Sequence, residues 1–262
     1  MKSVPKPRVS DQDVESMRRV IEQRKSDSYV QERTTENVSG SPPRFDKERF
    51  WWVLLGCLLT SQQRSTTGYP VDRFLSLREF PLTLARCKGR EQTIMETLKE
   101  FGGIRMAPTI ARRAHANYVW LENGGWARME RWFQRLAEQR SLPPRRDHSR
   151  RERDAAHFAA INLEGVGPKQ SRNLWQWLGL TRYEIPLDSR VVEWINRNLS
   201  TSVDESKLGD DKYYESILDY VQDVCAKADV LPCIFDAAAF DNENALTGDR
   251  SSGNNCCGTA KL

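Results

Sequence analysis

The sequence predicts an all-α protein. Apolar residues recur at helical spacing along most of the chain; near the N-terminus, Val14, Met17, Val20 and Ile21 share one helix face. No segment shows the apolar–polar alternation that is typical of a half-buried strand, and the chain contains no internal repeat. Clusters of Gly, Pro, Ser and Asn separate the helical segments. We therefore expect helices packed on helices, without a sheet.

The predicted helices follow one another from residue 11 to residue 240. Phe45 to about Arg64 is the most apolar segment, and its length favours a buried helix over a strand. Thr34 to Arg44 has the composition of a loop, Asn123-Gly124-Gly125 predicts a break, and Pro143 to Asp154 predicts a turn or linker. The remaining predicted helices cover 11–24, 71–79, 91–100, 108–121, 126–139, 155–162, 169–178, 188–199, 213–228 and 230–240.

The composition also predicts how the chain is organised. Residues 1–44 are expected to form an N-terminal extension that is partly disordered, with residues 1–10 unstructured. The helical domain is expected over residues 45–241, in two lobes of about 45–145 and 146–241. The tail, 242–262, is rich in Asn, Gly and Ser and has the composition of a disordered segment.

Composition limits the cellular environment and the metal chemistry. The longest apolar run, Trp51 to Leu59, is about half the length of a membrane-spanning helix, and the polar N-terminus lacks the features of a secretory signal. We expect no membrane association and a cytoplasmic, nucleoid-associated protein, or a nuclear one in a eukaryote. The six cysteines form no CxxC pair and the three histidines show no ligand spacing, so we predict no structural metal.

Charge is distributed unevenly along the chain. There are 40 basic and 36 acidic residues, with a formal net charge of +4. Arginines are concentrated between Arg105 and Arg153, and acidic residues between Asp204 and Asp249. Arginine suits bidentate contact with phosphate, so the basic stretch is compatible with a face for a polyanion. It is equally compatible with a solvated helical surface.

The segment Leu163-Glu164-Gly165-Val166-Gly167-Pro168-Lys169 predicts a tight hairpin between two helices. Its two glycines permit backbone torsions closed to other residues and a close approach to a ligand. Free amides at the start of the next helix can bind a phosphate, in a contact that reads no base. A dinucleotide-binding fingerprint would need a preceding strand and a third glycine. Arg172 occupies that third position, so we reject that interpretation.

A lysine and an aspartate follow the hairpin. Lys169 would lie on the first turn of a helix, where the positive potential disfavours a cation and favours the nucleophilic free amine. Asp188 follows 19 positions later as a natural N-cap. The interval has room for one short helix, a turn and a return to the same cleft. The simpler alternatives are a surface lysine and a plain helix cap, but the pairing favours a catalytic role for both.

These motifs resemble the helix-hairpin-helix-GPD superfamily of base-excision DNA glycosylases. Leu163–Lys169 is similar to the family's hairpin and catalytic lysine, and Pro186–Val191 to the segment that holds its invariant aspartate. Lysine at the end of the hairpin is similar to the bifunctional members, such as endonuclease III and the 8-oxoguanine DNA glycosylases. Leu58–Gln63 resembles the helix that ends in the family's wedge residue. The resemblance spans about 45–240, but only 163–191 is specific.

The resemblance implies two helical lobes with a DNA-binding cleft between them, and an enzyme that flips out and excises a damaged or modified base. Lys169 would attack C1′ of the sugar, Asp188 would stabilise the positive charge that develops there, and a Schiff base would allow an associated lyase step. Cys225 and Cys233 do not match the cluster-binding set of endonuclease III, which favours the 8-oxoguanine-type branches without an iron–sulfur cluster. The residues expected to contact DNA are Gln62, Gln63, Arg64, Gly165, Val166, Gly167, Pro168 and Arg190.

Lesion-containing double-stranded DNA is the expected partner, and the protein is expected to be a monomer. We expect no cofactor, apart from a monovalent cation that the hairpin carbonyls could hold. Two alternatives stay open at this point. The enzyme could remove a modified base from phage DNA, or the chain could be a non-catalytic DNA-binding module. Asp188 separates enzyme from module, because a simple DNA binder has no use for a carboxylate that faces a polyanion.

Overall fold

The computed structural model describes residues 8–61, 63 and 68–240. Within these ranges the chain is helical and has no strand, which confirms the all-α prediction. None of the described helices is both long enough and apolar enough to cross a bilayer. The α-helices are α1 (Asp11–Arg24), α2 (Ser28–Thr34), α3 (Lys47–Leu59), α4 (Pro70–Leu75), α5 (Leu84–Cys87), α6 (Glu91–Phe101), α7 (Ala107–Trp120), α8 (Trp126–Arg140), α9 (His148–Asn162), α10 (Pro168–Trp177), α11 (Ser189–Asn198), α12 (Asp211–Ala228) and α13 (Pro232–Phe240).

The first of two apolar cores is built around α3. Its buried residues run from Phe50 to Leu180, and α3 packs directly on α7 and α10. The approach to α10 is close, because a Cβ added at Gly56 would lie 2.8 Å from the Trp177 ring. The Trp51 indole donates a hydrogen bond to the Leu82 carbonyl at 2.9 Å, so this buried ring leaves no polar atom unpaired. Helix α3 therefore anchors α10.

The second core joins the two ends of the described chain. Buried apolar residues between Val14 and Val30 pack with those between Ile185 and Ala239, and α1 and α2 lie on α12 and α13. Asp13 supports this packing by accepting hydrogen bonds from the backbone N–H and hydroxyl of Ser200, at 2.7 and 2.6 Å. Residues 11–39 thus contribute to a core that the sequence interpretation did not give them.

The two cores divide after residue 180, whereas the predicted lobes divide near residue 145. The difference arises because α9 and α10 pack on α8 and α3, which are helices of the first core. The domain boundaries themselves stay predictions. Residues 1–7 and the predicted tail, 242–262, lie outside the described residues.

The predicted loop over Thr34–Arg44 is wrong in its first half. Helix α2 continues into a π-helical turn over Thr35–Ser39. The buried amide of Asn37 donates to the carbonyls of Gln176 and Thr181, at 3.0 and 2.9 Å. The polar composition of this segment predicts a loop, but in the structure its buried amide finds hydrogen-bond partners on a distant part of the chain.

The predicted linker over Pro143–Asp154 is wrong in its second half, because α9 begins at His148. The reason is Glu152, which is buried and accepts the backbone N–H groups of Arg182, Tyr183 and Glu184, at 3.0, 2.7 and 2.9 Å. Because the Glu152 carboxylate is paired with backbone donors of the protein, this charged segment packs as a helix. Its composition alone predicts a solvated linker. The predicted break at Asn123–Gly125 is confirmed by non-helical torsions at Asn123 and Gly124.

Candidate active site

The hairpin links α9 to α10 through residues 163–167. Gly165 has φ +77°, a left-handed conformation that favours glycine. Val166 is buried beneath the turn, and its N–H donates to the Leu163 carbonyl at 3.2 Å. Gly167 is the N-cap of α10 and offers no side-chain cap. Pro168 has no N–H, but the N–H groups of Lys169 and Gln170 lack an acceptor within the helix, so they are available to a ligand.

Helix α7 braces the hairpin, a contact that the sequence analysis missed. The side-chain oxygen of Asn117 accepts the Glu164 N–H at 2.6 Å, and its NH₂ group donates to the Glu164 carbonyl at 3.0 Å. Asn117 is only 1% exposed. A single asparagine within a helix gives no recognisable signal in the sequence.

A groove of about 620 Å³ lies beside the hairpin. It is lined by Ser61 after α3, by Arg113, Ala116 and Asn117 on α7, and by residues 160–167. Lys169 and Asp188 are not part of its lining, so this groove is not the predicted cleft between the lobes. Its lining includes both the cationic Arg113 and the acidic Glu164, together with the hairpin up to Gly167.

Lys169 lies half-buried on the first turn of α10. It is near α3, since its positive charge acts on the Cys57 thiol, whose pKa is raised by burial and lowered in part by Lys169. Among the residues that the structure describes, the amine has no hydrogen-bond or ion-pair partner.

Asp188 caps α11. Its Oδ1 accepts the N–H groups of Arg190 and Val191 at 3.1 and 3.0 Å, and its Oδ2 accepts from Nε and Nη2 of Arg190 at 3.1 and 2.5 Å. The Asp188 side chain is 10% exposed. The guanidinium of Arg190 also lies 3.7 Å from the ring centre of Phe240. The cap and the ion pair hold the carboxylate in one position, while the expected contact of Arg190 with DNA stays a prediction.

Lys169 and Asp188 do not form an ion pair with each other in the described structure. Side-chain contacts nevertheless connect α10, which carries Lys169, to the segment that ends at Asp188. Arg172, one turn after Lys169, lies 4.4 Å from the ring centre of Tyr214. The Tyr214 hydroxyl accepts the Leu187 N–H at 2.6 Å and donates to the Ile185 carbonyl at 3.2 Å. Tyr214 therefore joins α10 to the segment that ends at Asp188.

Buried ion pairs support the return from α10 to α11. Glu184 is fully buried and accepts from Arg172 and Arg153, at 2.9 and 3.0 Å. Burial raises the pKa of Glu152 to about 7, although three backbone N–H donors favour its carboxylate form. Removing one partner of such a buried ion pair would leave the other charge buried and uncompensated. This path of the chain, which carries Asp188, is thus tightly specified.

A second polar cluster, also missed from sequence, lies near Asp188. Burial raises the pKa of Asp236 to about 7, the charge of Arg33 opposes that shift, and Asp188 adds to it. Arg33 lies 3.9 Å from the Asp236 carboxylate and donates to the Tyr29 hydroxyl at 2.8 Å. Tyr29 and Arg33 share one face of α2, but nothing in that short helix distinguishes them from surface residues.

Only part of the predicted wedge can be located. Gln62 and Arg64 lie outside the described residues. Gln63 donates to the Leu59 carbonyl at 2.6 Å and accepts the Arg105 N–H at 2.9 Å. Its amide is therefore occupied by protein contacts, and its role as a wedge stays a prediction.

The described part of the chain contains no group of three or more His, Cys, Asp or Glu residues that could hold a metal ion. Four cysteines, Cys57, Cys87, Cys225 and Cys233, are buried as free thiols. The hairpin carbonyls are the only cation site that the sequence suggested, and a cation there stays a prediction.

Comparison with known proteins finds relatives among the solved structures, including two 8-oxoguanine DNA glycosylases. No protein-family model and no curated protein sequence matches the chain. The 8-oxoguanine DNA glycosylase of Methanocaldococcus jannaschii superimposes with a TM-score of 0.54 over 88% of this chain and 94% of that protein, at 15% identity. The 8-oxoguanine DNA glycosylase of Thermotoga maritima gives 0.53 over 87% and 94%, at 14% identity. The chain therefore has the all-α fold of these two 8-oxoguanine DNA glycosylases, and this confirms the predicted resemblance at the level of the fold.

Proposed function

We propose that this protein is a DNA glycosylase that uses Lys169 and Asp188 to excise a damaged or modified base. The observation that supports this most is the environment of Lys169. Lys169 is half-buried, its amine has no described partner, and it follows a hairpin with free amides and a left-handed Gly165. The same fold in two 8-oxoguanine DNA glycosylases supports the assignment.

In this proposal the hairpin holds a DNA phosphate and the target nucleotide leaves the duplex. The amides at the start of α10 provide donors and the positive end of the helix dipole. Asn117 keeps Glu164, and with it the hairpin, fixed before DNA arrives. A monovalent cation on the hairpin carbonyls would add to the same phosphate contact.

The chemical step begins at the amine of Lys169. Its lone pair attacks C1′, the glycosidic bond breaks, and the base leaves with the bonding electrons and takes up a proton. The nitrogen loses a proton as the sugar ring opens, which leaves a Schiff base. β-Elimination of the 3′ phosphate then nicks the strand, so the proposed enzyme is also a lyase.

Asp188 contributes a fixed negative charge. As the base departs, positive charge develops on the sugar, and a preorganised carboxylate stabilises it without reorganising. Four hydrogen bonds from α11 hold both oxygens of Asp188 in place. Arg190 is therefore a positioning residue for Asp188 in this mechanism.

We propose 8-oxoguanine in duplex DNA as the first substrate to test, because both structural relatives are 8-oxoguanine DNA glycosylases. A deliberately modified base in phage DNA is the second substrate class. The protein would act as a monomer on DNA in the cytoplasm, or in the nucleus of a eukaryote.

A second candidate function, a non-catalytic DNA-binding module, is favoured by one observation. Asp188 caps α11 and pairs with Arg190, and these two contacts alone would account for an aspartate at this position. In such a module Lys169 would be a phosphate contact.

One experiment separates the two functions. End-labelled duplexes that carry 8-oxoguanine, other lesions or modified bases are incubated with protein, with and without borohydride. The glycosylase proposal expects base release on at least one duplex and a covalent borohydride adduct that Lys169→Gln abolishes. Tight binding of every duplex without base release or adduct would instead support the binding module. Base release without an adduct would mark a monofunctional glycosylase.

A further inference from the structure

Arg113 lines the groove beside the hairpin but belongs to α7, outside the hairpin unit. It precedes Asn117 by four residues, so the two side chains lie on one face of the helix. Asn117 holds both backbone polar groups of Glu164. Arg113 is therefore positioned relative to the hairpin by a rigid helix and by two hydrogen bonds.

The side chain of Arg113 crosses the hairpin at Gly165. A Cβ added at Gly165 would lie 2.5 Å from Cδ and 2.9 Å from Nε of Arg113, closer than side-chain atoms can pack. The glycine thus has two functions: it permits the left-handed turn, and it leaves the space that brings the arginine against the backbone.

Among the residues that the structure describes, Arg113 has no protein partner for its charge. Its Nε is buried and has no hydrogen bond, and its guanidinium has no carboxylate within ion-pair distance among the described residues. Arg182 differs, because its Nε and both terminal nitrogens donate to backbone carbonyls at 2.7 to 3.3 Å. The terminal nitrogens of Arg113 also have no hydrogen bond among the described residues, and Arg113 lines the groove, so a ligand there can accept from them.

A phosphate is the acceptor that fits. The groove is lined by the hairpin up to Gly167, the N-cap of α10, and at this end of the helix the amides and the dipole favour an anion. The planar guanidinium group of an arginine can donate two hydrogen bonds to one phosphate group. We propose that Arg113 binds the same DNA phosphate as the hairpin amides, so that α7 is a third element of the phosphate site. This inference rests on the proposed function, because it requires that the hairpin bind DNA.

The test compares Arg113→Gln with Arg112→Gln. Arg112 is the neighbouring arginine, but it is exposed and lies 3.4 Å from Glu164, so it serves as a matched control. Binding to an abasic-site duplex is measured by fluorescence anisotropy between about 50 and 200 mM salt. We expect Arg113→Gln to weaken binding about tenfold and to reduce the slope of log affinity against log salt by about 0.9, the value for one lost phosphate contact. Arg112→Gln should keep the wild-type slope.

A second measurement uses the wild-type protein and so does not depend on how the variant folds. An arginine-specific dicarbonyl reagent is applied with and without the duplex, and modification of each arginine is read by peptide mass spectrometry. Protection of Arg113 by DNA supports the inference. Equal modification of Arg113 in both samples, or an unchanged salt slope in folded Arg113→Gln, overturns it. Both of these outcomes differ from failure of the DNA-binding part of the proposed function, in which the wild type would bind no duplex at all; failure of the catalytic part alone would show as duplex binding without base release.

Discussion

The Asn117 side chain clamps Glu164 by accepting its N–H at 2.6 Å and donating to its carbonyl at 3.0 Å. The two residues are 47 positions apart, and the contact connects α7 to the hairpin before Lys169. A short surface turn has little packing of its own. Asn117 replaces that packing with two directed hydrogen bonds in a buried position.

Asn117→Ala is expected to destabilise the protein by roughly 2 to 3 kcal/mol, because it leaves two backbone groups of Glu164 without partners. It should also weaken DNA binding by loosening the hairpin. Urea unfolding and amide exchange at residues 163–167 measure the two effects. Asn198→Ala is the control, since the Asn198 amide bonds only to the Trp194 carbonyl of its own helix. Equal effects of the two variants would contradict the brace.

Lys169→Gln should bind lesion duplex with nearly wild-type affinity and should excise no base. The amide keeps the size of the side chain but cannot attack C1′, so we expect a rate loss of roughly 10³-fold or more. Single-turnover base release and filter binding give the two values. Lys99→Gln, an exposed lysine near the end of α6, is the control and should behave as wild type. Retained excision by Lys169→Gln would remove Lys169 from the mechanism.

Asp188→Asn is expected to slow base release by roughly 10²-fold with a smaller change in DNA affinity. Asparagine still accepts the N–H groups of α11 as an N-cap, but it lacks the negative charge. Asp210→Asn, the corresponding change at the N-cap of α12, should leave the rate unaltered. Loss of rate and of stability in equal measure at both positions would identify Asp188 as a structural cap only.

Acid stability should depend on Asp13. Burial disfavours its charge, but hydrogen bonds from Ser200 and Ser10 outweigh burial and lower the pKa of Asp13 from 3.8 to about 2. Because the folded pKa is the lower one, this stabilisation is present above pH 4 and is lost as pH falls through about 2. Asp13→Asn should therefore cost about 2 kcal/mol at pH 7 and progressively less towards pH 2. Urea unfolding of both proteins across that pH range measures the difference in their free energies of unfolding. A difference that does not change with pH would contradict the prediction.

The sequence by itself determined the features that depend on local chemistry. Helical periodicity determined the all-α class and the approximate position of most helices. Two glycines and a proline determined the hairpin, Lys169 on the first turn of α10, and Asp188 as an N-cap. Each of these follows from torsions or hydrogen bonds within a few residues, which a short window of sequence contains.

Only the tertiary structure decided which distant residues complete the site. The clamp of Asn117 on Glu164, the position of Arg113 over Gly165, the Tyr214 link to Leu187 and the Glu152 contacts that support α9 all depend on partners 27 to 52 residues away. The inclusion of α1 and α2 in the second core depends on the same kind of contact. Long-range contacts have no local signal, because the same polar residue is a solvated surface group until another helix supplies its hydrogen-bond partner.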